Sequence, residues 1–348
     1  MVYEKKVLID QMPGLYAVGD VTLDGTLFYA AASENRGGRV CLVNSETLEV
    51  IELTGGLGGV MAVVDAKDEN AMFFIEEFYP VFDSATAKVI KVEMEKAGET
   101  YRILRRTALA EVPYVHRIAQ LYEEDGLYIA AGKLCKSKTE PQDWSTSGTM
   151  DIGAYDPKTD EVKFERVYDG VMKHHAMFLK KNARGYDDLY YGGTEGVFRT
   201  VRENGEWKTE HLLNVPTSDI VVYDLDGDEK DELIIIEEFH GDKAVVFKDT
   251  DKGYVRALEF PLKFGHVLWG GSFLGRPGVI TGSRDGGKEL ILYRLLAGEN
   301  NTVTVSEKTV IDEGQAPAQI MVREYGDRAL ILAANHGMAH MALYSCSK

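Results

Sequence analysis

Cysteine is scarce in this chain, with 3 in 348 residues. Cys41, Cys135 and Cys346 are odd in number and scattered, which excludes a disulfide framework and a zinc knuckle. Basic charge is short as well: 39 Lys and Arg stand against 56 Asp and Glu, a net charge of −17. So acidic a chain lacks the cationic footprint that a nucleic-acid backbone or an anionic membrane surface attracts, and neither is expected as a partner. No apolar run approaches the roughly 18 residues that span a bilayer. Residues 1–10 have no long apolar core and no small-residue cleavage site, so no secretory leader is expected and a reducing cytoplasm is the expected compartment. Helix-period apolar segments of useful length are missing too, which leaves the helical fold classes without support.

What the chain has in quantity is glycine (35), tyrosine (18) and phenylalanine (13). Aromatic and β-branched residues favour strands, and Gly-rich stretches between them mark turns. A repeated unit runs through the sequence: an apolar strand, a polar turn, a second apolar strand, a Gly- or charge-rich loop, a third strand and a more variable fourth. The second strands stand out at 27–31, 72–75, 127–131, 189–191, 233–236, 279–281 and 330–333. Fourth strands recur in the same way, as in Phe164-Glu-Arg-Val-Tyr168 and Lys308-Thr-Val-Ile-Asp312. The last unit lacks one, and Lys6-Val-Leu-Ile-Asp10 at the start of the chain matches the missing segment. The pattern predicts an all-β fold: a seven-bladed β-propeller, one domain over residues 1–348, whose last blade is closed by the N-terminal strand. A ring suits such units because a four-stranded blade does not bury both faces alone.

In a propeller the first strand of each blade lines the central channel. At the starts of the predicted first strands stand His116, His175 and His266, with Asp219 and Gln319 at the matching places of two more blades. The remaining two blades, near Leu15 and Met61, offer nothing polar there. Imidazoles converging on a narrow channel suit a divalent transition metal (Mn, Zn, Fe or Ni), and His116, His175, His266 and Gln319 form the expected ligand set. The alternative is that these side chains hydrogen-bond channel water. His174 should point away from the axis by strand alternation. The loops on the same rim add His336, His240, Tyr114 and Lys133 as candidate acid–base groups. Arg117 and Arg284 are candidates to hold a substrate carboxylate by paired hydrogen bonds. Glu77, Glu237 and Asp219 are further substrate-binding candidates.

A separate signal lies between the first and second strands of the fifth blade. Asp224, Asp226, Asp228 and Glu232 place oxygen atoms at a spacing that suits Ca²⁺. The stretch resembles the FG-GAP, or integrin-like, calcium loop of propeller blades, with Glu229 in place of a glycine and Glu232 in place of the last aspartate. The resemblance implies a structural Ca²⁺ on the face opposite the histidines; an acidic turn without metal is the alternative. In its ligand types, three histidines and a glutamine, the channel is similar to the sites of propeller carbohydrate lyases and dehydratases, among them oligogalacturonate lyase and aldos-2-ulose dehydratase. That likeness implies a small carbohydrate, uronate or keto-sugar substrate. It also implies a metal that acidifies the C–H beside a carbonyl or carboxylate, and loss of a leaving oxygen by β-elimination. Two other readings stay open: a non-catalytic propeller binding a carbohydrate or protein partner, and a glycoside hydrolase using paired carboxylates such as Glu77 and Glu237. No nucleophile elbow, Walker loop or dinucleotide fingerprint competes with these.

Overall fold

Strands form where the sequence is apolar on both sides. Leu233, Ile234, Ile235 and Ile236 are all fully buried, because neighbouring blades cover both faces of their strand. Such a strand reads as an unbroken apolar run. Outer strands instead alternate: Glu206–Leu213 carries Trp207 and Thr209 half-buried between exposed Glu206, Lys208 and Glu210. The computed structural model describes the chain except for residues 1, 54, 68, 226 and 299–301. It contains seven four-stranded antiparallel sheets, and the inner strand of each packs on that of the next until the last meets the first.

Blades 1 to 6 use consecutive strands. Their inner and outer strands are Leu15–Leu23 and Val50–Leu53, Ala62–Asp65 and Thr100–Glu111, and Val115–Glu123 and Glu161–Val171 for the first three. The next three run from Ala176–Lys181 to Glu206–Leu213, from Thr217–Tyr223 to Gly253–Pro261, and from Gly265–Phe273 to Val303–Asp312. Blade 7 combines Pro317–Tyr325, Arg328–Asn335 and His340–Ser347 with Val2–Ile9, which pairs antiparallel from Tyr3↔Cys346 to Ile9↔Met341. The seven-bladed ring sealed by the N-terminal strand is therefore the fold observed. Seams between blades are apolar: Val221, Ile234 and Ile236 of blade 5 share a cluster with Val279, Ile291 and Tyr293 of blade 6. Each such buried side chain contributes roughly 1.5–3 kcal/mol. Cys41, Cys135 and Cys346 are buried in these seams and unpaired. Among the described residues, no helix is long and apolar enough to cross a membrane.

Two local features aim one residue of each blade into the channel. Gly14, Gly59, Tyr114, Lys173, Phe264 and Ala316 all take left-handed φ angles between 49° and 68°, turning the chain sharply before the inner strand. In five blades a bulge follows, with register shifts between Leu15/Ala17, Val115/Arg117, Thr217/Asp219, Gly265/Val267 and Pro317/Gln319. The extra residue is left out of the ladder and re-aimed. By this register the equivalent residues are Tyr16, Met61, His116, His175, Ser218, His266 and Ala318.

At the other end of the channel, Glu123 closes the inner strand of blade 3. It is buried, and its Oε1 has no hydrogen-bond partner. Burial first, then the charge of Asp187, pushes its carboxyl up to about 7. A folded-state pKa raised above the unfolded value gives stability that is complete below about pH 4.5 and is lost as pH rises through about 7. Glu123→Gln is expected to raise the unfolding free energy by about 2–3 kcal/mol at pH 8 and to leave it nearly unchanged at pH 4. Denaturant melts at the two pH values check this, and an equal gain at both would count against the buried carboxylate as its cause.

Candidate metal centre

The turn-and-bulge geometry brings His116, His175 and His266 to one mouth of the channel, where His240 joins them from the loop after Glu232–Glu237 of blade 5. His175, His240 and His266 each place one ring nitrogen within 4.8 Å of the other two. Two of these rings are fixed from behind. His175 Nδ1 lies 2.7 Å from the Ser218 carbonyl, and His266 Nδ1 lies 2.7 Å from the Ala318 carbonyl. A carbonyl only accepts, so both Nδ1 atoms carry the proton and both Nε2 atoms present a lone pair. This is the outer-shell arrangement that orients metal-binding imidazoles. His175 Nε2 and His240 Nε2 are buried and have no hydrogen-bond partner.

Electrostatics keep the cluster neutral and therefore able to ligate. Burial holds His116, His175 and His266 well below the ordinary histidine range, and neighbouring Arg117 and fellow histidines push the same way. His240 is lowered to about 3 by burial and then by Arg284. His116 stands beside the three, its ring 4.4 Å from that of His175. Its Nε2 is 3.4 Å from the Tyr16 hydroxyl, which also lies 3.3 Å from His266 Nε2. Burial raises the Tyr16 phenol to about 12, so it stays protonated. Around these groups closes a cavity of about 200 Å³, walled by Met61, Phe78, Tyr79, Phe82 and Phe264 and carrying Glu34 and Arg284 at its edge. Arg284 Nη2 donates to His336 Nδ1 at 2.9 Å, because a guanidinium has only donors. His336 Nε2 must then carry the proton, and it donates to Glu34 Oε1 at 3.0 Å.

Other residues singled out from the sequence lie elsewhere or face differently. Asp219 and Gln319 sit one residue past the bulge in their blades, so they are not the positional equivalents of the histidines; a one-residue slip changes the direction of a side chain. Gln319 Oε1 accepts from the Val18 N–H at 2.8 Å and ties blade 7 to blade 1. Burial pushes the Asp219 carboxyl up to about 6, with Arg117 opposing. Arg117 Nε donates to the His175 carbonyl at 2.7 Å, which anchors that histidine's backbone. Tyr114 is buried facing a neighbouring groove with Ser84 and Lys138. Lys133 pairs with Asp151 at 3.4 Å. Glu77 pairs with Lys88 at 2.5 Å and Glu237 with Arg256 at 2.7 Å, and neither carboxylate lines the histidine cavity. His174 turns away, its Nδ1 3.2 Å from the Thr149 carbonyl. The blade near Leu15 does offer a polar group, the Tyr16 hydroxyl, and Glu34 comes from the rim loop at 33–36. Tyr16 could have been found by aligning Leu15-Tyr16 with Val115-His116, since an aromatic at a bulge position need not be core.

In the acidic loop of blade 5, Asp226 lies outside the described residues. Asp224 accepts from the N–H groups of Gly227 and Glu229 at 2.7 and 3.1 Å, and Asp228 from that of Lys230 at 2.9 Å. Glu232 Oε2 accepts from the Leu225 N–H at 2.6 Å. The buried Lys248 brings its ammonium to 3.6 Å from Asp228 Oδ2 and 3.4 Å from Glu232 Oε1. A positive charge from the chain itself thus stands among the carboxylates.

No protein-family model matches the chain, and no curated protein matches its sequence. In structure it is similar to the β-propeller domain of Cps50 (Swd1) from Myceliophteria thermophila, with 12% identity and a TM-score of 0.61 over 99% of this chain and 100% of that one. At such identity the likeness speaks for architecture and not for chemistry. The blades and this likeness together make the chain a seven-bladed β-propeller.

Proposed function

We propose that the channel mouth binds one divalent transition metal through His175, His240 and His266, and that the protein is a metal-dependent lyase for a small uronate or keto-sugar. The observation that carries the metal is the convergence of three neutral imidazole nitrogens within 4.8 Å, two of their rings braced by backbone carbonyls. A bound cation would supply Lewis acidity, polarising a carbonyl or carboxylate oxygen so that the adjacent C–H gives up its proton more readily. Arg284, held by His336, keeps N–H groups for a substrate carboxylate. Glu34 lines the same cavity and is the carboxylate placed to take the proton. Tyr16 remains protonated and can pass its proton to the departing oxygen as the C–O bond breaks and the C=C bond forms. The apolar walls limit water at the reacting atoms.

The test is to load purified protein with Mn, Zn, Fe or Ni, count metal per chain, and then screen uronates and keto-sugars for an absorbing unsaturated product. About one metal per chain with such a product is the expected result. No metal uptake from any of the four would remove the mechanism. Metal uptake with saccharide binding and no product would favour a second reading, a non-catalytic carbohydrate-binding propeller. That reading draws on the aromatic rim, where the Trp144 ring meets Phe82 and Phe239 edge to face beside Lys138, whose Nζ lies 3.4 Å from the Trp144 ring centroid.

A further inference from the structure

The histidine cavity has a roof, and the roof is made of one short segment. Residues 79–83 leave blade 2 and return at once: the Tyr79 N–H donates to the Asp83 carbonyl at 3.0 Å, closing the loop on itself. Tyr79, Pro80, Val81 and Phe82 line the same cavity as His116, His175, His240 and His266. From this loop the Phe82 ring reaches over the channel mouth. It packs 5.4 Å from Trp144, in the long loop between strands Gly126–Lys133 and Gly148–Asp156 of blade 3, and 6.2 Å from Phe239, in a loop of blade 5, with Phe78 of its own blade at 6.3 Å. One aromatic side chain therefore bridges three blades above the histidines.

The way the roof is held suggests that it moves. Val81 and Phe82 are consecutive non-glycine residues at φ 59° and 61°, and a β-branched side chain in that region is a true outlier. Strain of this kind persists only where surrounding contacts impose it, and it points from the observed outlier to a functional constraint. Here the imposing contacts are few. Arg36 pairs with Asp83 at 2.5 Å, with both side chains about two-thirds exposed, at 67% and 66%. Such a pair is weak. Arg36 also covers the Tyr79 ring at 3.7 Å. Val81 itself is 66% exposed. The bridge of Phe82 to Trp144 and Phe239 is the main tie across the mouth. Beneath it, His175 and His266 are 1% and 4% exposed.

We propose that residues 79–83 form a lid on the histidine cavity, that Phe82 is its latch, and that Phe82 sets the size of the molecule admitted. With the latch closed, a cavity of about 200 Å³ admits a single small molecule and not an oligosaccharide. The lid rests on the metal reading only for what it admits; its opening can be followed without any metal.

The experiment uses the full-length, metal-free protein and diethyl pyrocarbonate, a small reagent that acylates neutral imidazole, with modification read at each histidine by mass spectrometry. In the wild type, His175, His240 and His266 are expected to react slowly beside the exposed His211. In Phe82→Ala their rates should rise by about tenfold, the response of a local opening that has lost its main contact. Phe82→Leu, which keeps bulk without the ring, should fall between. His174 is fully buried and faces away from the cavity, so it reports on the fold. Faster reaction of the three cavity histidines with His174 unchanged supports the lid. Unchanged rates in Phe82→Ala, or a rise shared equally by His174, would overturn it. A wild-type protein that takes up no metal would end the lyase reading and leave this result standing.

Discussion

Alanine at His175, His240 or His266 is expected to lower affinity for a divalent transition metal by more than about 100-fold in each case, since loss of an outer-shell partner alone typically costs 10–100-fold. The three place their ligand atoms within 4.8 Å of one another, and no other described group of His, Cys, Asp or Glu side chains is arranged in this way. His116→Ala should be milder, about tenfold, because His116 stands against the Tyr16 hydroxyl and the His175 ring and would act by keeping both in place. Gln319→Ala should leave metal affinity alone. Its side chain is committed to the Val18 N–H, so the variant should instead lose about 1 kcal/mol of stability. Competition against a chromophoric chelator gives the affinities, and denaturant melts give the stabilities. Wild-type affinity in any of the first three variants would show that the trio is not the site. A His116→Ala protein as metal-poor as His266→Ala would make the ligand set four histidines.

Lys248→Met is the second large effect. The lysine is 4% exposed and its nearest carboxylates include Glu232, which is 1% exposed. Removing the ammonium leaves a buried anion with less compensation, and breaking such a pair typically costs about 3–5 kcal/mol. The loop resembles a calcium loop, but its interior already holds a cation on a tether. Millimolar Ca²⁺ is therefore expected to leave the wild-type melting temperature unchanged and to restore part of the stability lost in Lys248→Met. A wild-type melting temperature that climbs with Ca²⁺ would show that the ion displaces the lysine and that the loop is a true calcium site.

The blades were legible because a strand covered on both faces must be apolar throughout, and stretches such as 233–236 recur at each unit. The seal of blade 7 was legible because residues 6–10 match a fourth strand that the last unit lacks. The placing of His116, His175 and His266 on one mouth followed from the repeat alone. Asp219 and Gln319 were set one residue off because a bulge adds a residue without any mark in the sequence; Ser218 and Ala318, its actual occupants, have no chemistry to attract notice. The blade near Leu15 reads as offering nothing polar, yet its Tyr16 hydroxyl stands at the histidines, and the pairing of Arg284 with Glu34 through His336 joins residues up to 302 positions apart. The left-handed turn at Val81 and Phe82 runs against the preference of both residues, so no reading by propensity would place it. Phe82 meets Trp144 and Phe239, from loops of blades 3 and 5, only in the closed ring.

The seal between Val2–Ile9 and His340–Ser347 has a consequence for how the protein is made. Of the seven blades' strands, Val2–Ile9 is made before all the others and is the last to find its partner. At about 5–20 residues per second, roughly 20–70 s of synthesis separate the two. Throughout that interval the outer strand of blade 7 has no sheet to join, and the apolar faces that blades 7 and 1 turn to each other are bare. A chain that stops short of His340 never leaves this condition, and its exposed strand edges are templates for pairing with other chains.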